Sequence, residues 1–228
     1  MYKTMNNIDF IYSNNLVDYE TAVKFMNNRV NDIIDGKKNQ CIWLLEHPHM
    51  YTAGRSFEES EMLDMDKAVS FFHTDRGGKL TYHGPGQKII YVMLNLKTIF
   101  NNKPDIRIFI ENLLQCVVSI LKSYGINSSI DKDNIGVWLK NNNNQKKKIA
   151  SIGIKLKKWI SYHGIAININ PNMKYFKSIM PCGMSSNDMT SLIVEKGMTS
   201  FNHEDINEVI RDTFIKKFNF ELCNEYKI

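Results

Sequence analysis

The sequence predicts an α+β fold, a mixed, largely antiparallel sheet with flanking helices. Three observations carry that prediction: helical stretches with one apolar face, apolar runs of strand length, and short polar connections between several of those runs. The regular strand–helix alternation of a doubly wound parallel sheet is missing. Residues 18–35 place Ala22, Val23, Phe25, Met26, Val30, Ile33 and Ile34 near helical spacing, and Gly36 follows as a C-cap. Residues 41–45 form a short apolar run. A turn at Pro48 leads to a second extended piece at 50–53, so the two read as neighbouring strands. Residues 54–67 are polar and acidic and read as a surface loop crossing to a strand at 69–74. The glycine-rich segment 76–87 reads as a loop feeding a buried strand at 89–96. Pro104 opens a helix whose apolar face holds Ile106, Phe109, Ile110, Leu113, Leu114, Val117, Val118 and Leu121 before Gly125 ends it. Residues 135–139 and 149–154 flank the polar stretch 141–147, a strand, loop and returning strand. A strand at 164–169 precedes a turn at Pro171, and a last helix spans 204–218. With no repeat or linker in view, residues 1–228 are expected to form one domain.

At 228 residues and 43% hydrophobic, the chain can bury one sizeable core. A formal charge of +5 and a pI near 8.9 suit an acidic partner but fall short of a dedicated nucleic-acid binder. The four cysteines lie far apart without a CxxC pair, and the six histidines lack HxH or HExxH spacing. Neither a disulfide framework nor a metal site is expected. No apolar run reaches the ~18 residues a membrane span needs, and the first residues lack a signal peptide or an Arg/Ser-rich leader. A cytoplasmic protein, a monomer without nucleic-acid or membrane partners, is expected.

Three segments attract attention as chemistry. Gly77, Gly78, Gly84 and Gly86 crowd a stretch that also holds Arg76, Lys79, Tyr82 and His83, so backbone can approach a ligand while polar groups converge on it. A purely structural glycine-rich loop fits the same pattern. In Pro181-Cys182-Gly183 a thiol sits between a residue that fixes its backbone angle and one that frees it. An exposed nucleophile and an inert buried cysteine both fit that tripeptide. Cys41 and Cys116 fall on apolar faces and read as core, and Cys223 lies in the polar tail. Lys148 ends a lysine cluster and starts an apolar strand. If it faces Cys182, its ammonium favours thiolate over thiol. His163 precedes an apolar strand and is expected to support the site from behind the groups that touch substrate.

In these blocks the sequence resembles the lipoyl-domain octanoyltransferases, the lipoate-protein ligase B family. RGGKLTYHGPGQ at 76–87, KIASIG at 148–153 followed by WISYHGIA at 159–166, and MPCG at 180–183 match that family's signatures in order and separation. The resemblance covers about residues 42–192 and implies the fold of the biotin and lipoate ligases. It also implies that Cys182 carries an acyl thioester, that Lys148 acts as its acid/base partner, and that the acyl pocket is lined by Arg76, Gly77, Gly78, Lys79, Leu80, Thr81, Tyr82, His83, Ser151, Ile152, Gly153, Gly164, Ile165 and Ala166. Lys88 departs from the usual apolar residue at its position, and Asn172 from a commoner acidic one.

The implied reaction moves octanoyl from acyl carrier protein to a lysine of a lipoyl domain, in 2-oxoacid dehydrogenases or the glycine cleavage H protein, through two half-reactions at one thiol. No cofactor is implied, because a thioester is already activated. Three rivals stay open: an ATP-dependent lipoate or biotin ligase on the same fold, a non-catalytic module that binds a carrier protein, and a cysteine hydrolase in which water resolves the acyl-enzyme.

Overall fold

Strands buried on both faces need layers on both sides, and that requirement shapes the molecule. The computed structural model describes residues 6–140, 145–183, 185, 188–197 and 203–228, with the side chains of Cys182, His203 and Glu204 outside that description. The chain runs β1 (Asn7–Leu16), α1 (Tyr19–Ile34), β2 (Gln40–Glu46), β3 (Met50–Ala53), β4 (Ser70–His73), β5 (Leu80–His83), β6 (Gln87–Met93) and the single turn α2 (Leu96–Ile99). It continues with α3 (Ile106–Ser123), β7 (Ser129–Asp131), β8 (Gly136–Lys140), β9 (Lys146–Lys157), β10 (Ile160–Asn168), the short α4 (Leu192–Lys196), α5 (His203–Phe218) and β11 (Glu221–Lys227).

The main sheet has eight strands in the order β11-β1-β2-β6-β10-β9-β8-β7. Only its β11-β1-β2 edge is parallel; every other pairing is antiparallel. A second, three-stranded sheet has the order β4-β3-β5. The fold is therefore mixed α+β with a largely antiparallel sheet and flanking helices, as the sequence predicts.

Alternation along the strands sorts the core. Ile42, Leu44, Ile90, Val92, Ile165 and Ile167 face α3 and α5, where Phe109, Leu113, Val117, Ile210 and Phe214 complete one layer. Cys41, Trp43, Ile89, Tyr91, Tyr162 and Ala166 face the other way and pack on Ala22, Met26 and Val30 of α1. Asp18 caps α1 by accepting from the Thr21 N–H, and Asp105 caps α3 by accepting from the Arg107 N–H, so Pro104 sits just before the cap. Leu80 and Tyr82 join Tyr51, Ala53, Phe176, Ile179 and Met189 in a satellite core under the small sheet.

Several local expectations change. β2 and β3 are not neighbours: β2 pairs with β1 and β6, whereas β3 pairs with β4 and β5 in the other sheet. The glycine-rich stretch is not one loop, since residues 80–83 form β5 between two turns. Within the acidic segment 54–67, Glu61 is buried on a turn of 3-10 helix. Of the polar loop expected at 141–147, residues 141–144 lie outside the described residues. Lys88, at an apolar position of the resemblance, is buried, with Nζ 3.7 Å from Glu46 Oε1. Glu46 Oε2 meanwhile accepts from the Gly86 N–H. Asn172 accepts from the Lys174 N–H and shapes the turn after Pro171. No helix among the described residues is long and apolar enough to cross a membrane.

Candidate active site

The two sheets meet along a narrow cavity, partly open to solvent. β5 supplies Thr81 and His83 to its wall, while Leu80 and Tyr82, one residue out of phase, point into the satellite core. Arg76, Gly78 and Lys79 come from the turn before β5; Gly77 is not in the lining. Ser151, Ile152 and Gly153 of β9 and Gly164, Ile165 and Ala166 of β10 form the floor. The structure thus gathers three of the segments singled out above around one space. It adds Tyr19, Thr52, Ile89 and Tyr91, which come from three other elements and carry no local signal.

Close approach explains the glycines here. A Cβ on Gly153 would lie 2.8 Å from Arg76 Cδ and 3.2 Å from the Gly77 carbonyl, so only glycine lets Arg76 lie across β9. Arg76 then knits the turn to β3. Its Nη2 donates to the Thr52 carbonyl and hydroxyl at 2.8 Å and to the Lys79 carbonyl at 3.1 Å, and Nη1 donates to the Gly77 carbonyl.

Aromatic and imidazole groups crowd the inner end. His47 is buried, and its Nδ1 donates to the Val17 carbonyl at 2.6 Å, which leaves Nε2 to accept from the Tyr91 hydroxyl at 2.7 Å. Burial pushes His47 down to about 4 and His83 down to about 3, the nearby Arg76 charge adding to the second, so both rings are neutral at pH 7. His163 lines the cavity itself instead of standing behind it. Its φ of 60° lies in the left-handed region, a conformation that interrupts the regular alternation of β10. Its Nε2 lies 3.2 Å from Asp75, and burial lowers its pKa against the pull of that carboxylate. Lys155 pairs with the same Asp75.

Lys148 stands on β9 and is not among the cavity-lining residues. It is 2% exposed, and its Nζ lies 5.4 Å from the centre of the Trp138 ring. A bulge in β9 between the Val137–Ala150 and Trp138–Lys148 pairings sets its direction. The Lys148 carbonyl accepts from the Thr190 N–H at 2.9 Å, so the segment that follows Cys182 is tied to the lysine strand. Cys182 itself lies on a 3-10 turn, Pro181–Gly183, and its side chain lies outside the described residues. The turn packs on the cavity rim: Gly183 has a φ of 73°, and a Cβ there would lie 3.1 Å from Lys79 Cδ. Met180 N–H donates to the Glu61 carbonyl at 2.8 Å and fixes the segment leading in. Cys41 and Cys116 are buried, with thiols pushed up to about 12 by burial, and Cys223 is exposed. Among the described residues no group of three His, Cys, Asp or Glu side chains could hold a metal ion.

A cavity with one apolar wall and a neutral imidazole wall is the architecture of a site for a largely apolar small group. The family described as lipoyl protein ligase A/B catalytic domain matches residues 18–215, and the chain belongs to that family. Relatives named octanoyltransferase accompany that match. One from Wolbachia sp. subsp. Brugia malayi is 43% identical over 81% of this chain and 88% of its own, and one from Wolbachia pipientis wMel is 40% identical over 92% and 99%. Among solved structures, a lipoate-protein ligase A bound with ATP superposes with a TM-score of 0.71 at 11% identity, covering 98% of this chain and 89% of that one. A bipartite archaeal lipoate protein ligase from Thermoplasma acidophilum gives 0.72 at 12% identity, covering 97% and 87%. These two establish the shared fold.

Proposed function

We propose that residues 1–228 work as a single octanoyltransferase unit, moving octanoyl from acyl carrier protein through a thioester on Cys182 to a lysine of a lipoyl domain. The observation that carries this reading is the name octanoyltransferase borne by relatives about 40% identical over most of the chain. The geometry adds support of its own. Lys148 is a buried amine with no carboxylate partner among the described residues, an arrangement that suits proton transfer better than structural pairing.

In the first half-reaction the Cys182 thiolate attacks the donor carbonyl carbon. The donor carbon–sulfur bond breaks, and Lys148 gives its proton to the departing thiol. In the second, the acceptor amine attacks the Cys182 thioester, the thiolate of Cys182 leaves, and Lys148 takes the proton shed by the amine. Proton count and electron pairs close over the cycle, and no nucleotide or metal step is required by it. Ile89, Ile152, Ile165 and Ala166 offer the acyl chain an apolar surface. The acceptors proposed are lipoyl domains of 2-oxoacid dehydrogenases and of the glycine cleavage H protein.

Incubation with octanoyl carrier protein and an apo lipoyl domain, without ATP, tests the proposal by intact mass. An octanoyl adduct on Cys182 that passes to the lipoyl domain is expected, with Cys182→Ser lacking both. A Cys182→Ser variant that still loads the acceptor, or a strict need for ATP, would place the chain with the ligases. Free octanoate released without any acceptor would make it a hydrolase.

A further inference from the structure

His83 stands at one end of a buried chain of amides that the acyl-transfer reading does not use. Its Nδ1 lies 2.6 Å from Gln87 Oε1; Gln87 Nε2 lies 2.9 Å from Asn168 Oδ1; Asn168 Nδ2 lies 2.9 Å from the Thr190 carbonyl. Gln87, Asn168 and Thr190 are each 2% exposed. The polarity of this chain is set from its far end. A backbone carbonyl only accepts, so Asn168 must turn its NH₂ to Thr190 and its oxygen to Gln87. Gln87 must then turn its NH₂ to Asn168, where the Tyr82 carbonyl at 3.4 Å also receives it, and its oxygen to His83. The only atom left to donate is His83 Nδ1–H. A neutral ring protonated at Nδ1 has a bare lone pair on Nε2, and that nitrogen has no partner among the described residues, on a ring that lines the cavity.

We infer that Gln87 and Asn168 are positioning residues that hold His83 as its Nδ1–H tautomer, so that Nε2 accepts a hydrogen bond from the primary amine entering to be acylated. The inference rests on the reading that an amine acceptor enters this cavity. An N–H of that amine held by Nε2 points the nitrogen lone pair elsewhere, toward the acyl carbon, while Lys148 takes the proton that is shed. An Nε2–H tautomer would present a donor instead and compete for the amine lone pair. The same chain ends on Thr190, whose N–H is bonded to the Lys148 carbonyl, so the imidazole and the lysine strand are held by one network. Because it has a single consistent direction, one amide cannot flip without leaving two buried groups of like kind facing each other.

The test separates tautomer from transfer. Long-range ¹H–¹⁵N spectra of protein labelled at histidine nitrogen should show His83 as Nδ1–H. Asn168→Asp should keep that form, since a carboxyl group protonated by its burial beside the Thr190 carbonyl still donates there and accepts from Gln87, whereas Gln87→Met should lose it. In Gln87→Met, octanoylation of Cys182 by octanoyl carrier protein should stay within about twofold of wild type, while transfer from Cys182 to the lipoyl domain should fall about tenfold, the scale of one hydrogen bond. An Nε2–H spectrum in the wild type overturns the inference, as does a Gln87→Met variant that slows both half-reactions equally or neither. If Gln87→Met does not fold, the wild-type and Asn168→Asp spectra still decide the direction of the chain. Wild-type protein that shows Nδ1–H but never acylates an amine would sink the acyl-transfer reading and leave the tautomer assignment standing.

Discussion

Gly136 is the residue that gives Lys148 its room. A Cβ there would lie 2.4 Å from Lys148 Cε and 2.8 Å from the Ala150 carbonyl. The backbone carbonyl cannot give way inside a paired strand, so the lysine must. Gly136→Ala is therefore expected to push Lys148 off the Trp138 ring and lower transfer about tenfold or more, misplacement of a reacting group being costly. Its effect on unfolding should be only about 1–3 kcal/mol, the usual scale of overpacking. Steady-state transfer rates beside a urea titration check this, and wild-type activity in Gly136→Ala would remove Lys148 from the mechanism. The opposite strategy is seen at Arg76. That side chain lies across Gly153 and spends its donors on backbone carbonyls, so it shapes the turn that carries the cavity wall.

Glu61 couples three segments that the sequence leaves far apart. Its Oε2 accepts from the Leu80 N–H at 2.8 Å, its Oε1 lies 2.8 Å from Lys79 Nζ, and its backbone carbonyl accepts from Met180 N–H. One short turn thereby anchors the start of β5 and the segment entering the Cys182 turn. With Glu58 beside it as well, Lys79 is pushed up to about 12 and stays a cation at the rim. Glu61→Ala leaves the Leu80 N–H buried without a partner, so a loss of about 1–3 kcal/mol is expected in urea unfolding. Transfer should weaken with it, while Glu61→Gln, which keeps the bond to Leu80, should retain most of the stability; equal losses in both would refute the account. Elements with a one-sided apolar period were legible: α1, α3 and α5 lie within a residue or two of the pattern that predicts them, as do β2 and β3, whereas β6 ends three residues before the predicted 96, where the chain turns into α2. β1 was not, because it buries Asp9 among apolar residues, and that carboxylate looks like a surface residue until Arg29 is found 3.0 Å away. β11 is exposed throughout and exists through its parallel pairing with β1, which no local pattern announces. The contiguous blocks of the site could be read along the chain. Tyr19, Thr52, Tyr91, Glu61 and the Gln87–Asn168–Thr190 chain could not, since each gains its role from a partner in another element.

The molecule encloses His47, His83 and His163 between two sheets and a helix, and this gives its stability a pH dependence with a definite sign. His47 and His83 are neutral in the folded chain, with pKa values lowered by burial to about 4 and about 3, against about 6.5 for an unperturbed histidine. His163 is lowered in the same direction. Between the folded and unfolded values the unfolded chain binds more protons, so stability rises with pH across that window. The contribution is complete above about pH 6.5 and is lost as pH falls, first through the unfolded value and then until the folded rings protonate. His47 and His83 should each cost about 1.4 kcal/mol for each pH unit below 6.5, or about 2 kcal/mol at pH 5. That interval lies above the ordinary carboxylate range, and Asp131, held at about 2 by the Asn134 N–H and Lys146, contributes nothing within it. Urea midpoints measured from pH 7.5 to 5 should fall steeply in the wild type. His47→Gln can still donate to Val17 and accept from Tyr91, so its slope should be shallower by the share of one histidine. A wild-type profile that is flat over this range, or a His47→Gln profile parallel to it, would show that the ring opens to water before it protonates, and the closed, neutral setting of His47 would have to be abandoned.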